Sequence, residues 1–367
     1  MVDLMTVAGV VFKTSLVVVA AGLFSLALRR QSAAFSHVLW TAALALCVLM
    51  PLAVLLLPAH EVIALSSAPT LPLPRARGRQ WEGAVAALWL VGTSLVLLRH
   101  LVATIGLARW RRNASPLTSP RWSATLAHIG FDHRRLRVLE SRQIASPCTW
   151  GVMRPVLLLP TSGDAWPESA RHAALMHELA HIERRDALSI LVARLACALY
   201  WYNPLVWIAA ERIRSLQERA CDDAVLRAGA TPSDYAQFLL DVAAHTSGVA
   251  RLARASIGMT HGSSLRARIV AILDPQATRS RPRRIRVVAA CASLFLFTIL
   301  LATISVAVEP PPPPSPPPVS PTPETDKLPE TPVIPTLPVL PKLPVPPVPP
   351  VLPETPVLPT PPVGPTQ

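Results

Sequence analysis

Glu168-Ser-Ala-Arg-His-Ala-Ala-Leu-Met-His177-Glu178-Leu-Ala-His181-Ile-Glu-Arg-Arg185 reads as one helix. Pro167 marks its start, and Gly163-Asp164 lie in the loop before it. On a helix, His177 and His181 are four apart and share one face, where two imidazoles can bind one metal ion. Glu178 lies beside the first imidazole, close enough to polarise a metal-bound water without ligating the metal. Zinc lowers the pKa of such a water, and the carboxylate takes the proton as the water attacks a carbonyl. The same spacing also fits an amphipathic helix with surface His and Glu, so a third ligand is needed.

Glu218-Arg-Ala-Cys-Asp222 offers one. Helices are expected over Ala209–Leu226 and Ser233–His245. On the first of these, Glu218 and Asp222 share a face, again four apart. Two His and one Glu leave the fourth zinc position open for water and substrate. Asp222 can hydrogen-bond the far nitrogen of a zinc-bound His and fix its tautomer. Alone, the pair also fits a solvated helix face with Arg214 and Arg219 as partners. Between Arg137 and Leu159, two β-rich runs, Arg137-Val-Leu-Glu140 and Pro155-Val-Leu-Leu-Leu159, flank the turn-like Ser146-Pro-Cys-Thr-Trp-Gly151. The expected domain is mostly helical with a small sheet.

Outward from this region the chain becomes apolar. Hydrophobic residues make up 51% of the chain and charged ones 16%, with mean hydropathy +0.39. A soluble domain carries about 25% charged residues. Apolar spans run over Leu4–Leu28, Val38–Leu57, Trp81–Leu107 and Val287–Val308. Each reaches the ~20 residues a bilayer needs. Lys13 interrupts the first, and Arg99 and His100 the third. Arg29-Arg30 follow the first span rather than precede it, so it reads as a retained transmembrane helix and not a signal peptide.

The net charge of +13 is concentrated in Arg clusters beside the spans, at Arg29-Arg30, Arg109 with Arg111-Arg112, and Arg279 to Arg286. That placement points to the cytoplasmic side of a membrane rather than to nucleic acid. It puts 29–37 and 108–286 inside, and 58–80 outside despite Arg75, Arg77 and Arg79. The stretch after 308 also reads as outside. The stretch Ala187–Ala210 is apolar enough to cross, but crossing would put the Arg run before Val287 outside. It is therefore read as a buried or membrane-surface helix. Residues 309–367 are dominated by Pro, which favours extended, disordered chain with a reach on the order of 180 Å. No two of the five cysteines form a CxxC pair, so neither a disulfide framework nor a cysteine zinc cluster is expected.

Several segments together resemble the M56 peptidases, a membrane family that includes β-lactam-sensing antirepressor proteases. They are Ser146-Pro-Cys-Thr-Trp-Gly-Val-Met-Arg-Pro-Val-Leu-Leu-Leu-Pro160, His177-Glu-Leu-Ala-His-Ile-Glu-Arg-Arg-Asp186, Trp201-Tyr-Asn-Pro-Leu-Val-Trp207 and Glu218-Arg-Ala-Cys-Asp-Asp-Ala-Val225. The resemblance implies a mainly α membrane protein with about four transmembrane helices and a cytoplasmic gluzincin-type zinc domain. In this sequence His177, His181 and Glu218 match the zinc ligands, Glu178 the general base, and Asp222 the acid of the ExxxD pattern. Asp186 also matches a motif position and is expected to form a structural salt bridge with an Arg.

The implied arrangement is three transmembrane helices in 1–110, the zinc peptidase in 111–286, a fourth transmembrane helix in 287–308 and the Pro-rich segment outside. The implied function is zinc endopeptidase activity in transmembrane signalling at a bacterial inner membrane. The expected partners are a protein substrate such as a transcriptional repressor, the lipid bilayer, and a second copy of the chain. Nucleic acid is not among them. β-Lactam-sensing members carry a penicillin-binding domain after the last span, whereas here the Pro-rich segment occupies that position and lacks a Ser-x-x-Lys motif. The competing reading is a non-catalytic, envelope-spanning scaffold of the TonB type that acts through this segment. Tyr200, Tyr202, Tyr235, His245 and His261 are weighed as transition-state stabilisers and read as packing or surface residues. His172 reads as structural and Cys221 as a small core residue.

Overall fold

Apolar helices set the architecture of the computed structural model, which describes residues 4–28, 30–56, 60–65, 78–130, 136–245 and 261–308. The Pro-rich segment after 308 lies outside the described residues. Among the described residues, four helices are long and apolar enough to cross a membrane: α1 (Leu4–Ala27), α2 (Ala33–Leu56), α3 (Gly78–Arg112) and, near the end, α10 (Arg284–Thr303). α2 is the central one and packs against α1 and α10, burying Leu39, Leu44, Cys47 and Met50 completely or nearly so. α3 presents Leu88, Leu95, Leu98 and Val102 outward, as a lipid-facing helix does. It runs past the expected end at Leu107 through Arg112, because Arg is a good helix former. Lys13, the discordant charge of the first span, donates from Nζ to the carbonyl of Ala302 at 3.2 Å, near the C-terminus of α10.

The strand β1 (His60–Leu65), which follows α2, pairs in parallel with β6 (Ile304–Val308), which follows α10. The far ends of α2 and α10 therefore meet on one side. The chain between α3 and α10 leaves from, and returns to, the other side.

That intervening chain begins with β2 (Ser115–Pro116) and α4 (Pro120–Ile129). Ser119 caps α4 by accepting from Trp122 N, Pro120 occupies the first turn, and Gly130 ends it in the left-handed region at φ 68°. β3 (Arg137–Ser141), β4 (Cys148–Trp150) and β5 (Val156–Pro160) complete a four-stranded sheet in the order β2-β3-β5-β4. β3 and β5 are parallel and the other pairings antiparallel. β5 is buried along its whole length, and Leu157 and Leu159 pack with Trp122 and Leu175. Gly163 is needed here, since a Cβ on it would lie 2.4 Å from the Trp122 ring.

The helices that follow are α5 (Glu168–Glu183), α6 (Asp186–Leu199), α7 (Pro204–Arg227), α8 (Pro232–His245) and α9 (His261–Leu273). The apolar stretch 187–210 is thus two helices, not one. Asn203 breaks it by accepting from Leu205 N at 3.0 Å, with Pro204 in the first turn of α7. α6 alone spans about 21 Å, short of the ~30 Å hydrocarbon core.

The α6–α7 turn is clamped among the apolar helices. Tyr200 donates to the Cys47 carbonyl at 2.9 Å, and Asn203 Nδ2 to Ser15 Oγ at 3.0 Å. Trp89 Nε1 donates to the Leu199 carbonyl at 2.9 Å, and Thr93 to that of Ala198 at 3.1 Å. Arg99 lies 5.7 Å above the Trp207 ring. The hairpin packs among α1, α2 and α3.

Candidate metal centre

α5 carries His177 and His181 one turn apart, with ring centroids 5.0 Å apart. α7 crosses α5 and brings Glu218 between them. Its Oε2 is 3.6 Å from His177 Nε2 and its Oε1 3.8 Å from His181 Nε2. Both ε nitrogens therefore face one carboxylate.

The other ring nitrogens are held from behind. His181 Nδ1 meets Asp186 Oδ2 at 2.7 Å. His177 Nδ1 meets Tyr235 Oη at 3.1 Å and Asp222 Oδ1 at 3.3 Å. Tyr235 donates its own proton to Asp222 at 2.8 Å, so both of these oxygens accept from the imidazole. Protonated at Nδ1, each ring keeps its Nε2 lone pair for the shared space in front.

Charge in the site is matched by one guanidinium. Arg268, on α9, donates from Nη1 to Glu218 Oε2 at 2.8 Å. It also donates from Nε and Nη2 to the two oxygens of Asp222, at 2.8 and 2.7 Å. Burial works against a charged Asp222, but Arg268 and the His177 hydrogen bond outweigh it and hold the carboxyl down at about 2. The same groups hold Glu218 well below the usual carboxylate range, against its own desolvation. Burial alone would lower His177, yet its bonds to Asp222 and Glu218 lift it to about 9. A metal binding at Nε2 would displace that proton.

Cys221 Sγ also comes within 4.8 Å of ligand atoms on both His177 and His181. It competes with Glu218 as the third donor. A metal takes thiolate, and complete burial pushes the Cys221 thiol well above its usual value. Glu218 is held well below the usual carboxylate range, is about a third exposed, and faces both Nε2 atoms. Glu178 is nearly buried, at 9% exposure, and among the described residues its carboxylate has no hydrogen-bond or ion-pair partner.

The structure thus brings His177, His181, Glu218 and Asp222 to one place, and Glu178 is near enough for its charge to act on Cys221. Asp186 does pair with Arg184, whose Nε donates to Oδ1 at 3.2 Å, but it is equally the partner of His181. Tyr235 belongs to the site rather than to general packing. Arg268 gave no signal in the sequence, because it is one Arg among many and reaches the site from a distant helix. Tyr200 anchors the α6–α7 turn, and Tyr202 stacks edge-on against Trp201. His172 pairs with His128, with centroids 6.4 Å apart. The side chains of His245 and His261 lie outside the described residues.

The chain is 29% identical over 163 residues to the "Regulatory protein BlaR1" of Bacillus licheniformis, covering 43% of this chain and 27% of that one. It is 21% identical over 146 residues to the "Methicillin resistance mecR1 protein" of Staphylococcus aureus, covering 39% and 25%. The same figures hold for the protein of that name from Staphylococcus epidermidis. The chain therefore spans about a quarter of the length of these relatives. Residues 9–272 match the family described as BlaR1 peptidase M56, and the chain belongs to that family.

Proposed function

We propose that the chain is a membrane zinc endopeptidase in which His177, His181 and Glu218 hold the metal and Glu178 is the general base. The observation that carries this reading is the meeting of His177 Nε2, His181 Nε2 and the Glu218 carboxylate, with Glu178 next to His177 on α5. Zinc, when bound, supplies a Lewis acid that acidifies a water and polarises the scissile carbonyl. Glu178 takes the proton of the attacking water and passes it to the leaving amine. Asp186 and Asp222, the latter with Tyr235, orient the two imidazoles. Arg268 keeps Glu218 ionised and aimed at both rings. β4, an edge strand packed against α5, offers an open ladder to which an extended peptide could add.

The zinc domain occupies 111–286 in this reading and faces the cytoplasm. Support comes from Arg109, Arg111 and Arg112 at the end of α3 and from the Arg-rich run leading into α10. The substrate is a cytoplasmic or membrane-proximal protein, and cleavage serves transmembrane signalling, as the name of the regulatory relative suggests. A transcriptional repressor is the substrate class to try first.

The purified full-length chain in detergent should contain one zinc ion per molecule and cleave a protein substrate. Chelation should abolish cleavage, and zinc should restore it. Cleavage that persists in the chelated, metal-free protein would overturn the assignment. Asp186→Asn and Asp222→Asn should each weaken zinc binding by about 10–100-fold, read by competition with a chelator. Unchanged affinity in both would remove these carboxylates from the site.

A further inference from the structure

A buried polar cluster adjoins Asp186, and its other members take no part in the chemistry above. It lies where α2, α6 and α7 meet. Ser189 Oγ donates to the Asp186 carbonyl at 2.9 Å. With its proton so committed, it accepts from Gln217 Nε2 at 2.7 Å and from His37 Nε2 at 3.1 Å. His37 is thereby the Nε2–H tautomer, and the same nitrogen lies 4.0 Å from Asp186 Oδ1. Gln217 Nε2 also donates to the Asp186 carbonyl at 3.2 Å. The other carboxylate oxygen of Asp186 receives His181 Nδ1. His37, Ser189, Gln217 and Asp186 are all 5% exposed or less.

His37 stands out on α2, which has no Asp, Glu, Lys or Arg along its length. An ionisable side chain on such a helix is costly unless it serves a partner. Its partners here lead to the metal centre. We propose that His37 is a positioning residue tying a transmembrane helix to the metal site: through Ser189 it holds the backbone carbonyl of Asp186, and it faces the carboxylate of the same residue, which holds His181. This rests on the zinc reading of His181.

The tie has a second end. Tyr200, at the far end of α6, donates to the Cys47 carbonyl on α2. Held at both ends, α6 travels with α2. Asp186, the first residue of α6, then moves relative to α5, from which it is separated by Arg184 and by Arg185 in the left-handed region at φ 56°. A shift of α2 is thus delivered to the Asp186–His181 bond, and a signal received in the membrane region reaches the metal ligand by this route.

The test uses the full-length protein in detergent. His37→Leu should weaken zinc binding by about tenfold or more, within the range seen for loss of an outer partner. His37→Gln, whose amide can replace the Nε2 donor, should restore most of it. In an Asp186→Asn background, His37→Leu should add little, since the two act through one path. Wild-type zinc affinity in His37→Leu, or an effect of equal size in both backgrounds, overturns the tie. If His37→Leu does not fold, Ser189→Ala removes the bridging oxygen, and wild-type affinity there overturns it equally. Should the wild-type chain bind no zinc, the enzyme reading fails, but the tie is still decided by NMR of metal-free, histidine-labelled protein. A hydrogen-bonded Nδ1 proton of His181 that weakens in His37→Leu supports the tie, and one that is unchanged refutes it.

Discussion

Glu178→Gln is expected to lower turnover by about two to four orders of magnitude while the protein keeps its zinc. The amide has nearly the shape of the carboxylate but cannot accept the proton of the attacking water. Because Glu178 has no hydrogen-bond or ion-pair partner among the described residues, the change breaks no bond of the fold. The change leaves the carboxylates that hold His177, His181 and Arg268 untouched, so the ligand set stays intact. The measurement is cleavage rate alongside zinc content. Full activity in the variant would exclude the mechanism. It would also favour the scaffold reading if removal of residues 309–367 then abolished the cellular phenotype.

Glu218→Gln is expected to empty the site. The loss should exceed the ~10–100-fold seen for outer partners, because a ligand itself is removed. The neutral amide would still accept from Arg268, so the fold around α7 and α9 should persist. Cys221→Ser should retain zinc, since the thiol is fully buried and disfavoured as thiolate. The two variants separate the rival donors: zinc lost from Cys221→Ser and kept by Glu218→Gln would reverse the ligand assignment. Zinc should also raise the thermal stability of the wild-type protein more than that of Glu218→Gln.

What the sequence made legible was local. Spacing of four along α5 and along α7 put His177 with His181 and Glu218 with Asp222 on shared faces, and helical geometry did the rest. Long apolar runs made α1, α2, α3 and α10 readable for the same reason. What stayed hidden were meetings between elements distant in the chain. Tyr235 reaches His177 across 58 residues, Arg268 reaches Asp222 across 46, and His37 reaches Ser189 across 152. No periodicity encodes such pairs.

Two features had local signals that pointed elsewhere. Asp186 opens a helix, where an acidic residue is expected, and its bond to His181 comes only from the reversal of the chain at Arg185. The break in 187–210 was marked by Asn203-Pro204, a helix-start pair, but the surrounding hydropathy masked it.

In the proposed enzyme two imidazoles and a carboxylate, with no sulfur, hold a zinc ion before Glu178. X-ray absorption at the zinc edge of the purified full-length chain addresses it most directly. Nitrogen and oxygen neighbours are expected at about 2.0–2.2 Å. A sulfur neighbour at about 2.3 Å, which would place Cys221 on the metal, would contradict it.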